Sequence, residues 1–197
     1  MTYQFKVQIK NITNPPVWRR LTIPSHFIFY DFHLAIQVAF GWFNNHLFQF
    51  SPKGYGSSPC IRELYEDSLD FEFEEALDAE KVKLSEIFYA EKQKFTYIYD
   101  FGDDWKHTII LENIIPEITM YPKLLAGKGK CPLEDCGGTR SYENIKEVLS
   151  DKKDPEYDEM AEWCGLEENE KWNPFDFNLS ETQKLLLKVY TEYLNDK

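Results

Sequence analysis

Cysteine is scarce: Cys60, Cys131, Cys136 and Cys164 are the four in 197 residues. That is too few for a disulfide framework in a chain of this size, so reduced thiols are the expectation. Positive charge is also short, with 22 Lys and Arg against 34 Asp and Glu and a formal net charge of −12. Such a chain repels a polyanion at long range, which disfavours sequence-nonspecific nucleic-acid binding. No apolar run approaches the length of a membrane span, and no charged-then-apolar leader opens the sequence. A cytoplasmic protein without a membrane partner is the expectation. The common catalytic signatures are missing too. "GKGKC" lacks the spacing and hydroxyl of a phosphate-binding loop, and there is no H-E-x-x-H, G-x-S-x-G or strand-linked G-x-G-x-x-G.

Aromatic residues, in contrast, make up 16% of the chain, enough to build a substantial core. Residues 3–9, "YQFKVQI", alternate with period two, and "VWRRLTI" at 17–23 resumes strand composition after "NPP". In "YDFHLAIQVAFGW", Phe32, Ala35, Ile36, Ala39 and Phe40 share one helical face. Asp31 is placed to cap the start and Gly41 to end the helix, with His33 and Gln37 on the polar side. Further strands are expected near 46–51, 95–101 and 107–115. The stretch 63–80 is strongly acidic and reads as a solvated excursion. Helices are expected over "SYENIKEVL", over 155–165, and over 180–194, where Ser180 and Gln183 match a capping box. The fold class follows as α+β: a single domain over 1–197, with a mostly antiparallel sheet of about five strands, the amphipathic helix on one face and a helical C-terminal part.

Two segments carry the chemistry. In "YIYDFGDDWKHTIIL" a four-residue turn at Gly102–Trp105 pairs Tyr99 with Thr108, Ile98 with Ile109 and Asp100 with His107. Cross-strand neighbours lie about 5 Å apart at Cβ, so Asp100 would fix the His107 tautomer as a general base or metal ligand requires. Asp103 and Asp104 complete the catalytic candidates, although tight turns select aspartate for local hydrogen bonding alone. In "CPLEDCGG", Cys131 and Cys136 with Glu134 and Asp135 form a mixed ligand set. Together with His46 and His107, it would accept a divalent metal if the two segments met.

The segments "PPVWRRLTIP", "FHLAIQVAFGWFNNHLFQF", "YIYDFGDDWKHTIILE", "CPLEDCGG" with "YENIKEVLSD", and "EYDEMAEWCG" with "NPFDFNL" resemble, in this order, the plasmid Ri ORF-3-like family. The resemblance spans roughly 3–178 and implies a compact α+β domain associated with plasmids and mobile elements, without an established activity. Some members carry a recombinase label, but no basic stripe or arginine constellation beside a tyrosine nucleophile supports it here. Two expectations of different class follow. The first is a non-enzymatic binding module for a protein, peptide or small molecule, its groove built from Trp18, Arg19, Arg20, Trp42, Trp105 and the acidic hairpin tip. The second is a metal-assisted hydrolase formed where the hairpin and the cysteine loop converge.

Overall fold

The structure is a computed structural model that describes residues 1–64 and 76–195. Its strands are β1 (Thr2–Ile9), β2 (Trp18–Pro24), β3 (Phe48–Ser51), β4 (Cys60–Arg62), β5 (Ala76–Asp78), β6 (Lys94–Tyr99), β7 (Trp105–Ile115) and β8 (Lys123–Lys128). The helices are α1 (Phe29–Phe40), α2 (Leu84–Ile87), α3 (Gly138–Val148), α4 (Tyr157–Trp163) and α5 (Leu179–Asn195). The strands form one eight-stranded sheet in the order β5-β4-β3-β6-β7-β1-β2-β8. Every pairing is antiparallel except β4 with β5, which is parallel.

The expected sheet of about five strands is therefore wrong: it is mixed and has eight. The three missed strands share a cause. β4 and β5 have three residues each, too few to show a period, and β8 is an edge strand in which only Leu124 is buried. Most of the acidic stretch at 63–80 lies outside the described residues, and its end, Ala76–Asp78, is strand β5.

The alternation of β1 and β7 has a direct consequence. Phe5, Val7, Ile9, Ile109 and Leu111 are buried together with Phe29, Phe32, Ile36 and Phe40 of α1. Phe5 stacks on Phe32 at 4.6 Å, and Phe32 on Phe50 at 5.7 Å, which welds α1 to the middle of the sheet. Helix α1 starts two residues before Asp31, whose carboxylate still accepts the Ile28 N–H at 3.0 Å. Gly41 ends it in the left-handed region at φ 81°. Counted from Phe29, positions 32, 33, 36, 37 and 40 form one stripe, so His33 and Gln37 face the core rather than solvent.

At the start of α5 the expected capping box gives way to Asn178, whose Oδ1 accepts the Glu181 N–H at 3.1 Å. The Gln183 carbonyl instead accepts Leu124 N–H at 2.5 Å and holds β8 to the helix.

Candidate functional site

The hairpin tip is longer than the four-residue turn and begins earlier. Asp100 leaves the strand with φ 53°, and its Oδ1 accepts the Gly102 and Asp103 N–H groups at 2.9 and 3.3 Å. Aspartate tolerates this left-handed conformation because its short carboxylate bonds the local backbone. Asp104, also left-handed at φ 56°, closes the turn through its N–H on the Asp100 carbonyl at 2.7 Å. Trp105 consequently re-enters the ladder opposite Tyr99, and His107 pairs with Tyr97.

The expected Asp100–His107 pair is thereby corrected. The shift carries His107 to the core face, where it is fully buried among Phe40, Trp42 and Tyr97. Its Nδ1–H donates to the Trp105 carbonyl at 2.9 Å, while Nε2 is buried without a hydrogen-bond partner. Burial lowers its pKa to about 3, so the ring is neutral and sealed from any substrate.

A second buried histidine locks the loop after α1. The Gln37 amide donates to the Tyr97 hydroxyl at 2.9 Å, so the hydroxyl donates to His33 Nδ1 at 2.8 Å. That leaves the His33 Nε2–H to donate to Asn44 Oδ1 at 2.5 Å, and Gln37 Oε1 accepts the Asn44 N–H at 3.0 Å. The expected placement of His33 and Gln37 on a polar face is thereby corrected, since both lie on the buried stripe counted from Phe29.

The fixed loop leads directly to the cysteine segment. Trp42 donates its indole N–H to the Pro132 carbonyl at 3.0 Å. Glu134 accepts the Phe43 N–H at 3.1 Å, the Asn45 amide at 3.3 Å and the Tyr99 hydroxyl. Burial first, and then Glu134, push the Tyr99 phenol up, which keeps it a proton donor. On the far side, Gly137 N–H donates to Asp103 Oδ2 at 3.0 Å. Three loops thus meet: residues 41–47, the hairpin tip, and 131–138.

At their junction His46 Nε2 lies 3.1 Å from Asp135 Oδ1 and 3.8 Å from Asp100 Oδ2. One ligand atom from each of His46, Asp100 and Asp135 falls within 4.8 Å of the others. Nε2 is buried and makes no well-formed hydrogen bond. An imidazole nitrogen and two carboxylate oxygens at this spacing suit a divalent cation with mixed N/O preference. Exposed apolar side chains flank these ligands along the chain, Phe43 and Leu47 around His46, Phe101 after Asp100 and Leu133 before Asp135, and Tyr55 is exposed as well. Tyr55 packs edge-on against Phe101 at 6.0 Å and donates its hydroxyl to Asp104 at 3.1 Å. Asp104 also pairs with Lys106 at 2.5 Å.

The remaining candidates are scattered. Cys131 and Cys136 line different cavities, and burial pushes both thiols up, Cys136 to about 12. Trp42 and Trp105 are buried in the core. Arg19 points inward, whereas Trp18 and Arg20 sit on the opposite face of the sheet, where Arg20 makes a bidentate pair with Glu112 at 2.6 and 2.9 Å. The structure does not assemble these five into one groove.

Gly138 holds the junction closed. It has φ 76°, and a Cβ placed there would lie 2.5 Å from the Asp103 carbonyl oxygen. Gly165 provides the comparison, with φ 68° and nothing within 4 Å of such a Cβ. Gly165→Ala should cost about 1 kcal/mol from backbone strain alone, whereas Gly138→Ala should cost about 3 kcal/mol because backbone must move. Urea denaturation of the two variants measures the difference.

Fold and site together define a mixed-sheet protein with a histidine–carboxylate cluster at one end of its central hairpin. The chain belongs to the family described as plasmid pRiA4b ORF-3-like protein, whose model matches residues 1–181. It is similar to the uncharacterized protein y4hQ of Sinorhizobium fredii (strain NBRC 101917 / NGR234), 34% identical over 164 residues that cover 82% of this chain and 80% of the relative. It is also similar to the crystal structure of a protein of unknown function, MM3350 from Methanosarcina mazei Go1. That match has a TM-score of 0.77 and 31% identity, covering 91% of this chain and 96% of the other. Among the described residues, no helix is long and apolar enough to cross a membrane.

Proposed function

We propose that this protein is a non-enzymatic binding module whose site is the three-loop junction, with His46, Asp100 and Asp135 taking a divalent cation at its centre. The observation that carries this reading is the convergence of three ligand atoms within 4.8 Å, supplied by three separate loops. The exposed apolar side chains of Phe43, Leu47, Tyr55, Phe101 and Leu133 give the surrounding surface the character of a protein contact. Around it Asp103, Asp104 and Glu134 keep the surface acidic, which suits a partner segment that is both basic and apolar. The four cysteines are free thiols, in keeping with a reducing, cytoplasmic setting.

By bridging the three loops the cation fixes the geometry of the contact surface, so partner contact depends on it. A hydrolase reading would use the same three ligands, yet its intended base, His107, is sealed in the core. The binding reading therefore has the better support.

Thermal melts with added Zn²⁺ or Mn²⁺ test the site. At a cation concentration about 100-fold above Kd the wild type should gain about 3 kcal/mol, a rise in Tm of several degrees. His46→Ala should abolish that gain while folding normally in its absence. Equal responses in wild type and variant, or no response in either, would remove the cation from this site.

A further inference from the structure

A second concavity, of about 420 Å³, lies between α3 and α4. Ile145, Met160, Cys136 and Ser141 are among its lining residues. Ile145 and Cys136 are buried. Trp163 also lines it and is 49% exposed, so its indole is available to a ligand. Glu156 and Glu159 complete the lining; both are exposed, and among the described residues neither makes an ion pair within 4 Å.

The spacing explains the arrangement. Glu156, which precedes α4, and Glu159 and Trp163 within it recur at intervals of three and four, so the start and one side of the helix present two carboxylates and an indole. Ser141 and Ile145 do the same for α3, four residues apart. Tyr157 of α4 and Tyr142 of α3 are buried.

We infer that this cavity binds a linear aliphatic polyamine. Apolar lining suits methylene groups, two carboxylates without an ion pair suit two ammonium groups, and an exposed indole face attracts a cation electrostatically. The volume matches a small molecule, within the range of roughly 300–1,000 Å³ typical of ligand sites. The net charge of −12 raises the local concentration of any cation near the surface. None of the lining residues belongs to the cation cluster, so the two sites are tested separately.

Isothermal titration of the full chain with spermidine in moderate NaCl, with n-butylamine and N-acetyl-lysine amide as comparisons, decides the matter. Spermidine should bind with quenching of tryptophan fluorescence and at least ten-fold more tightly than either monoamine. Glu159→Gln and Trp163→Leu, both at exposed positions, should each weaken it about ten-fold while leaving the far-ultraviolet circular dichroism unchanged. His46→Ala should leave it unaltered. Three results would overturn the inference: no binding at millimolar spermidine, equal affinity in both cavity variants, which marks diffuse attraction to an acidic surface, or preference for the lysine derivative, which marks a peptide site.

Discussion

Lowering the pH from 7 to about 5 should cost the folded state about 4 kcal/mol, most of it from two buried histidines. His33 and His107 are both held near pKa 3 by burial, against an ordinary value of 6.5. In the fold they remain neutral. The unfolded chain takes up a proton at each as the pH drops below 6.5, whereas the native chain does so only near 3. The stabilisation is therefore complete above 6.5 and is lost progressively down to about 3. At pH 5 each group is about one and a half pH units below its unfolded value, or about 2 kcal/mol. Glu112 does not confuse this window: the Arg20 guanidinium holds its carboxyl below the usual 4.5, so its contribution fades at lower pH. Urea denaturation at pH 7, 6 and 5 reads the slope directly. His107→Phe should halve that slope, whatever it does to absolute stability. A flat profile would mean that the rings take up protons in the native state.

The same two histidines show where sequence reasoning reaches and where it stops. Strong alternation made β1, β2, β6 and β7 legible, because each buries one face against α1 and its pattern has a period to detect. The register of the central hairpin was not legible. It depends on whether Asp100 stays extended or turns left-handed, and a shift of three residues moves His107 from a turn-side partner of Asp100 to the core partner of Tyr97. His33 and Gln37 were misplaced because polar side chains on a buried stripe look like a polar face until their partner, Tyr97, is known.

The candidate site divides along the same line. His46 and Asp135 were visible as metal-ligand candidates and Asp100 as a catalytic one, and the convergence of hairpin and cysteine loop was the condition on which the metal-assisted alternative rested. What brings them together lay beyond local pattern. Asp103 meets Gly137, and Tyr99 meets Glu134, across separations of 34 and 35 residues. The cysteines drew attention through their spacing but are turned into separate cavities. The Glu134 between them fastens the loop through Phe43, Asn45 and Tyr99.

Arg19→Ala should destabilise the protein by about 4 kcal/mol, a fall in Tm of about 10 °C, with or without any partner. Arg19 is 2% exposed and donates to four backbone carbonyls: Ala39 at 2.7 Å, Trp18 at 2.9 Å, Lys128 at 3.0 Å and Gly129 at 3.2 Å. Its guanidinium also lies 3.8 Å from the Phe177 ring centroid and 5.1 Å from that of Phe40. Burial lowers its pKa to about 10, which still leaves it charged at neutral pH. Carbonyl dipoles satisfy that charge, one of them among the last carbonyls of α1, where the helix dipole favours a cation. Truncation would strand all four acceptors at once and release the end of α1 from β8 and from the Phe177 loop. Arg19→Lys should recover little, because an ammonium has three donors and no planar surface to lie between two rings. Arg19→Met should recover part of the packing but none of the hydrogen bonds. Full stability in Arg19→Ala would show that these carbonyls find other donors, and Arg19 would again be free to serve as a contact for a ligand.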